Sequence, residues 1–406
     1  MFYFRTELKP DMTTESTREI DLLDHTWHTE DPWPTYTWLR EEAPVYWDAQ
    51  NELWGISRYD DIIRVSKDPE TFSSEGGNVP NMPPDPSFIN HDGVKHLRQK
   101  KLIQPHFTPA RIAQLEQHIR GLARELLDEV ADRKSLDFVH DIAAVLPMRI
   151  IGEMLDMPRE RQSEVQAWVD DFVRGGGGPQ YVTDDVTDAF AKFTAYHEER
   201  VELKRAIPGN DFLSIWLGAD FDGDKYDYDT LLFEHTLILV GGSETTRHSI
   251  SGGLEMLLAN PGQKAAVMSE PGLWRNAVEE IMRWTTPFVR MSRTATRDGD
   301  IRGTTISEGQ QVVMLYPPAN RDPRHFDDPE TFDIGRKFRS QMLSFGFGSH
   351  YCIGAYLARM EVQVMIEETL RRFPNLSLDH DAAAERSPSG FLRGLKRLPI
   401  ILGKEA

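Results

Sequence analysis

The chain has 406 residues, 39% of them hydrophobic, which is enough for a large buried core. With 46 basic against 65 acidic residues it carries a net charge of −19, which argues against a surface built to track nucleic acid. A single cysteine excludes an internal disulfide and any multi-cysteine zinc or iron–sulfur site, and it fits a reducing, cytoplasmic setting.

The N-terminal stretch MFYFRTELKPDMTTESTREIDLLD has no apolar centre of signal-peptide length, and nowhere is there an apolar run long enough to anchor the chain in a membrane. Residues up to about 20 are expected to form a mobile extension, and Met12 offers an alternative start. The part up to about residue 90 is rich in Trp, Pro and Tyr, with short extended candidates in PVYWD and LWGIS. From Lys95 to Leu203 apolar residues recur at three and four, the spacing of helices. Four glycines, Gly175–Gly178, break that run.

A second long helical pattern runs from Tyr228 to Leu258. Its most apolar part, LLFEHTLILVGG, is interrupted by Glu234 and His235 and reads as a buried helix. A shorter helix is predicted over Leu273–Trp284, then strands in SRTATRD and TISEGQQVVMLY, and a last helix over Ala355–Phe373. FLRGLKRLPIIL reads as a hairpin or turn with a final strand. The sum is mainly α with a minor β part, in a single domain over residues 1–406.

The stretch FGFGSHYCIG holds the lone Cys352. A nucleophilic thiolate needs a base, and neighbouring loop residues such as His350 seldom point at one another; a buried structural cysteine is the plain alternative. The setting favours a third use. Gly346, Gly348 and Gly354 let the backbone pass close to a flat object, and a helix begins just beyond the sulfur, where amide N–H groups favour negative charge. This suits an iron-bound thiolate, whose donation such hydrogen bonds tune. In LVGGSETTRHS, Glu244 and Thr245 place a carboxylate beside a hydroxyl on the long helix, suited to proton delivery; a solvated patch or capping signal is the alternative. Gly241-Gly242 would let that helix widen.

FGFGSHYCIG resembles the haem-binding loop of cytochrome P450 enzymes, Phe-Gly-x-Gly-x-His-x-Cys-x-Gly, at every fixed position. The resemblance implies haem b, with Cys352 as the axial iron ligand, His350 on a haem propionate, Phe345 beside the sulfur and Gly346 in the cofactor loop. It implies the P450 fold, a long oxygen-activating helix over the haem and the cysteine loop beneath it. It assigns oxygen activation to Glu244 and Thr245. It makes Glu280 and Arg283 of EEIMRW, with Arg336 of FDIGR, a buried structural network. It puts His96 and Arg293 on the propionates, with Lys100 where arginine is usual and Arg98 as a substitute if the helix is rotated.

A thiolate ligand favours O–O cleavage, so the implied reaction is monooxygenation with O2, two electrons and two protons. A peroxide-driven peroxygenase is one alternative; a non-enzymatic haem sensor or electron carrier is another. One cysteine holds no iron–sulfur cluster, so electrons must come from a separate ferredoxin and ferredoxin reductase. Arg98, Lys101, Lys337 and Arg359 are the candidate docking cations. Phe88, Ile89, Leu237, Val240, Gly241, Pro287, Val289 and Phe391 are candidate walls for a hydrophobic small-molecule substrate, and Gly175–Gly178 a candidate lid hinge. The strings DFVHDIAAVLPMRIIGEML, GGSETTRHSISGG and MRWTTPFVRMSRTAT are similar to an actinobacterial subfamily that oxidises the side chain of cholesterol and cholestenone. Hydroxylation of a steroid terminal methyl is therefore the leading expectation, with a terpenoid, fatty acid or macrocycle as the alternative.

Overall fold

Polar caps and proline stops mark out the helices that frame the centre of the molecule. The computed structural model describes residues 18–403. Seven helices matter for function: α1 (Gly93–Ile103), α2 (Pro109–Glu129), α3 (Val145–Met154), α4 (Asp184–Ala206), α5 (Tyr228–Ala259), α6 (Trp274–Thr285) and α7 (Ala355–Arg372). α2 begins behind Thr108, whose hydroxyl accepts the Arg111 N–H (3.4 Å), with Pro109 at the first position. α5 begins behind Asp227, which accepts the Thr230 N–H (2.8 Å), and stops before Pro261. Because α5 is apolar on most sides, it runs through the middle, against α3, α6 and α7. Its approach to α3 needs Gly242, where a Cβ would come within 2.9 Å of the Ile151 side chain.

A five-stranded sheet lies beside the helices, with β1 (Val45–Asp48), β2 (Leu53–Ile56), β3 (Phe72–Ser73), β4 (Arg290–Ala295) and β5 (Gln311–Leu315) in the order β1-β2-β5-β4-β3. Only the β2–β5 pair is parallel within it. The chain reaches β4 from α6 through Thr286, held at φ +36° by hydrogen bonds of its hydroxyl to the Arg283 carbonyl (2.7 Å) and from Asn320 (2.9 Å). The final strand Pro399–Ile401 lies between Ser135–Asp137 and Ser377–Leu378.

The structure is 54% helix with a minor sheet part, and the P450 fold follows from this architecture and from the neighbours described below. Three expectations need correction. The Trp- and Pro-rich start also holds helices, Trp33–Glu41 and Tyr59–Lys67. Gly241-Gly242 does not widen α5, which is continuous; the Thr245 hydroxyl donates instead to the Gly241 carbonyl (2.9 Å). Three of the four glycines lie in a packed 3₁₀ turn, Val173–Gly177, which Gly178 ends at φ +124°, rather than in a loose hinge: a Cβ at Gly176 would meet the Phe391 ring at 2.5 Å. The expected N-terminal extension lies almost wholly outside the described residues. From Ile20 onward the chain is tied down, Ile20 N–H to the Tyr46 hydroxyl and Leu22 N–H to Asp48, both at 2.7 Å.

Candidate active site

Four distant stretches meet around one internal cavity: the turn Phe88–Asn90 with α1, the middle of α5, the Thr286–β4 segment, and the cysteine loop with the start of α7. It encloses about 1420 Å³ of atom-free space, part of it open to solvent. Cys352 lies on one wall. Its sulfur has open surface yet sits deep inside the protein, because that surface belongs to the cavity.

The loop is fixed from several sides. The Cys352 N–H donates to the Phe345 carbonyl (2.9 Å), and Gly346 and Gly348 adopt φ +68° and +75°. At Gly348 a Cβ would stand 2.6 Å from the Ser66 carbonyl oxygen, so no side chain fits. Lys100 donates from Nζ to the carbonyls of Ser349 (2.7 Å) and Tyr351 (2.9 Å). The Arg359 guanidinium lies 4.3 Å from the centre of the Phe345 ring. Burial pushes the Cys352 thiol up; the Gly354 N–H and the charges of Lys100 and Arg359 draw it down.

At the cavity edge stand, among the described residues, an arginine with no ion pair and a histidine with an unpartnered ring nitrogen. Arg293 is 7% exposed, donates to the Ser292 carbonyl (2.6 Å), and has no ion-pair partner among the described residues. Alternation along β4 aims Arg293 and Met291 at the cavity together. His350 Nε2 meets Asp92 Oδ1 and the Ser74 hydroxyl, both at 3.1 Å, while its buried Nδ1 has no partner. Burial holds the His350 pKa down at about 4 against the pull of Asp92. His96 lies between the carbonyls of Phe88 (2.8 Å) and Ser349 (3.1 Å), its ring 4.1 Å from that of His350. An unpaired buried guanidinium is costly, and so is an orphaned imidazole nitrogen. A flat group carrying two carboxylates and a thiolate-binding iron relieves both, so these residues fit haem b. Arg98 turns outward to Asp222 (3.3 Å) and is no substitute for Lys100.

The opposite wall is one face of α5: Leu237, Ile238, Gly241, Gly242, Thr245, Thr246 and Ser249. At about 100° per residue these positions share one side, with Glu244 about 110° and Val240 about 150° from its centre. Glu244 therefore does not line the cavity. It is fully buried, accepts from Gln166 Nε2 (2.7 Å) and pairs with Arg247, which bonds the surface Asp170 (2.6 Å). Burial raises the Glu244 pKa, and Arg247 opposes the rise.

Of the substrate-wall candidates, Phe88, Ile89, Leu237, Gly241 and Pro287 line the cavity; Val240, Val289 and Phe391 do not. Val289 is fully enclosed, its N–H bonded to the Phe391 carbonyl (3.0 Å). Phe391 stands behind Phe288, ring centres 5.1 Å apart, and Phe288 takes the wall position. Below, Glu280 pairs with Arg283 (2.7 Å) and Arg336 (2.9 Å), all buried, and Arg283 also donates to the Asn320 (3.0 Å) and Pro329 (2.9 Å) carbonyls. Sequence reasoning missed Asp92, Gln166, Asp170, Arg247 and Glu361. Glu361, on α7, lines the cavity with one carboxyl oxygen unpartnered, and burial raises its pKa. Arg247, three residues after Glu244 on the same helix, gave a usable signal.

A thiol facing a long helix across a cavity edged by unpaired donors defines a haem-thiolate protein. The protein-family model Cytochrome P450 matches residues 272–401. The chain is 37% identical over 387 residues to a steroid C26-monooxygenase of Mycobacterium tuberculosis, covering 94% of this chain and 97% of that protein. Its fold is similar to CYP109E1 from Bacillus megaterium in complex with testosterone (TM-score 0.84, 29% identity, 92% of this chain and 98% of that one). It is also similar to CYP268A2 from Mycobacterium marinum in complex with pseudoionone (TM-score 0.86, 28% identity, 95% and 100%). The chain belongs to the cytochrome P450 family. It is a haem b monooxygenase, an oxidoreductase.

Proposed function

We propose that this chain hydroxylates the terminal methyl of a steroid side chain, with electrons delivered by a ferredoxin and its reductase in the cytoplasm. The observation that carries this reading is likeness to a steroid C26-monooxygenase across 94% of the chain and 97% of that relative. The apolar wall of Phe88, Ile89, Leu237, Phe288 and Met291 agrees with a hydrophobic substrate. Bound through Cys352, haem b supplies dioxygen activation, and thiolate donation favours O–O cleavage.

The chain's residues do the rest. Arg293, His350 and His96 hold the cofactor carboxylates, and Lys100 holds the cysteine loop. The apolar wall excludes water and orients the substrate carbon. Thr245 presents its hydroxyl to the cavity. Burial favours a proton on Glu244, against the pull of Arg247, and rotation of its side chain away from Arg247 and Gln166 would carry that proton toward Thr245. Among the described residues, no helix is long and apolar enough to cross a membrane. Val94 and Leu97 are exposed on α1 in line with exposed Lys101, and this stripe offers an acidic ferredoxin an apolar contact with a cation beside it. Arg359 is engaged by Glu279 (2.6 Å) and contributes less.

Titration with cholest-4-en-3-one tests the substrate assignment. The expected result is a Soret shift as iron-bound water leaves, and a terminal-methyl alcohol on turnover with reductants. No shift with sterols but a shift with pseudoionone would replace the steroid by a terpenoid. Turnover with hydrogen peroxide and not with reductants would make the protein a peroxygenase.

A further inference from the structure

Glu234 interrupts the most apolar stretch of the chain, on α5. It is fully buried, and no cation pairs with it among the described residues. Its Oε1 accepts the backbone N–H of Phe88 (3.0 Å). Its carboxyl also faces the Tyr226 hydroxyl, and that contact, with the Phe88 N–H, draws its pKa down. Besides these, the titratable group that acts on it is Asp85, in the loop that leads to Phe88. Burial, with Asp85 adding to it, pushes the carboxyl up to about 8, so at neutral pH it is a neutral acid that still accepts through its carbonyl oxygen.

On its other side the same residue is held again: the Phe88 carbonyl meets His96 Nδ1 at 2.8 Å. Phe88 and Ile89 both line the cavity. The turn that carries them is therefore fixed at its N–H by α5 and at its C=O by α1. The loop before it is tied to β4 by Ser292 N–H on the Asn78 carbonyl (2.9 Å), and to itself by Asn78 N–H on Asn90 Oδ1 (2.9 Å). A leucine at 234 would suit the surrounding core, but it would leave the Phe88 N–H without its acceptor.

We propose that Glu234 is a positioning residue for the substrate: by fixing the Phe88 amide it sets where the Phe88 and Ile89 side chains stand in the cavity, and so which substrate carbon faces the Cys352 side. This rests on reading Phe88 and Ile89 as substrate wall, and it does not depend on the substrate being a steroid.

Holoenzyme variants test it, with cholest-4-en-3-one and 4-phenylimidazole as probes. Glu234→Gln keeps a carbonyl acceptor and is expected to stay within about two-fold of the parent in both affinities, with the parent's product ratio. Glu234→Leu removes the acceptor and is expected to lose about tenfold in affinity for cholest-4-en-3-one, several-fold for 4-phenylimidazole, and to spread hydroxylation over more positions. Haem content and carbon-monoxide difference spectrum should stay those of the parent. If the parent itself ignores cholest-4-en-3-one, the steroid assignment fails and the 4-phenylimidazole arm still decides the role of Glu234. If Glu234→Leu does not load haem, Glu234→Asp is read the same way, because it withdraws the acceptor by one methylene. Parent-like affinities and products in the readable variant, or equal damage from Gln and Leu, would overturn the proposal.

Discussion

Arg293 is a buried guanidinium that makes no ion pair among the described residues: it donates to the Ser292 carbonyl and feels Asp92 only at a distance. An anion from outside the chain would stabilise such a site. Arg293→Leu should therefore fold but retain haem poorly, with the haem-to-protein ratio falling several-fold after gel filtration; full retention would remove Arg293 from the propionate site. Thr245 is placed differently: it faces the cavity from α5 and touches no cofactor-edge group. Thr245→Ala should bind haem and substrate normally but form several-fold less product per electron pair, with the balance released as peroxide or water. Unchanged coupling would deny it a part in proton delivery. That Arg293 and Thr245 would stand at one cavity was legible because the Cys352 loop is a local motif, whereas the direction of Glu244 was not. Adjacent letters such as Glu244 and Thr245 stand about 100° apart on a helix, so only one of them can face the cavity centre.

At the scale of elements, the network of Glu280, Arg283 and Arg336 joins α6 to the loop before the cysteine. Removing the shared carboxylate leaves two buried guanidinium groups unanswered, so Glu280→Leu should cost about 3–5 kcal/mol in unfolding free energy and lower the melting temperature markedly. A loss below about 1 kcal/mol would show an exposed-type pair instead. α5 carries the pH signature of Glu234. Its folded pKa of about 8 lies above the 4.5 of a free glutamate, so between these values the folded protein keeps a proton that the unfolded chain releases. The stability it contributes is complete below pH 4.5 and is lost as pH rises toward 8, at roughly 1.4 kcal/mol per pH unit. Glu234→Gln has no such proton, so its urea midpoint should decline less steeply over that range than the parent's; equal slopes would contradict the assignment. Helices with long apolar periods were readable to within a residue or two, as α5, α6 and α7 show. The short helices Trp33–Glu41 and Tyr59–Lys67 were not: Trp, Pro and Tyr in the first suggest strands and turns, and the β-branched Ile62, Ile63 and Val65 in the second favour a strand. Nor was the glycine turn, whose shape is set by Phe391, more than 200 residues away in the chain.

The whole molecule brings a cysteine loop under a central helix and leaves a space between them whose edge is lined with unpaired donors. The order of the motifs along the chain made that plan readable, but the substrate wall was readable only in part. Phe288 rather than Phe391 forms it, because tertiary packing decides which of two touching rings faces the cavity. Everything in the proposed chemistry depends on Cys352 binding iron as a thiolate. The most direct measurement is the carbon-monoxide difference spectrum of the reduced, haem-loaded protein, with Cys352→Ser beside it. The expected result is the red-shifted Soret band of a thiolate-bound carbonyl in the parent and its loss in the variant. A parent spectrum of the histidine-ligated type, or a band that survives in Cys352→Ser, would contradict it.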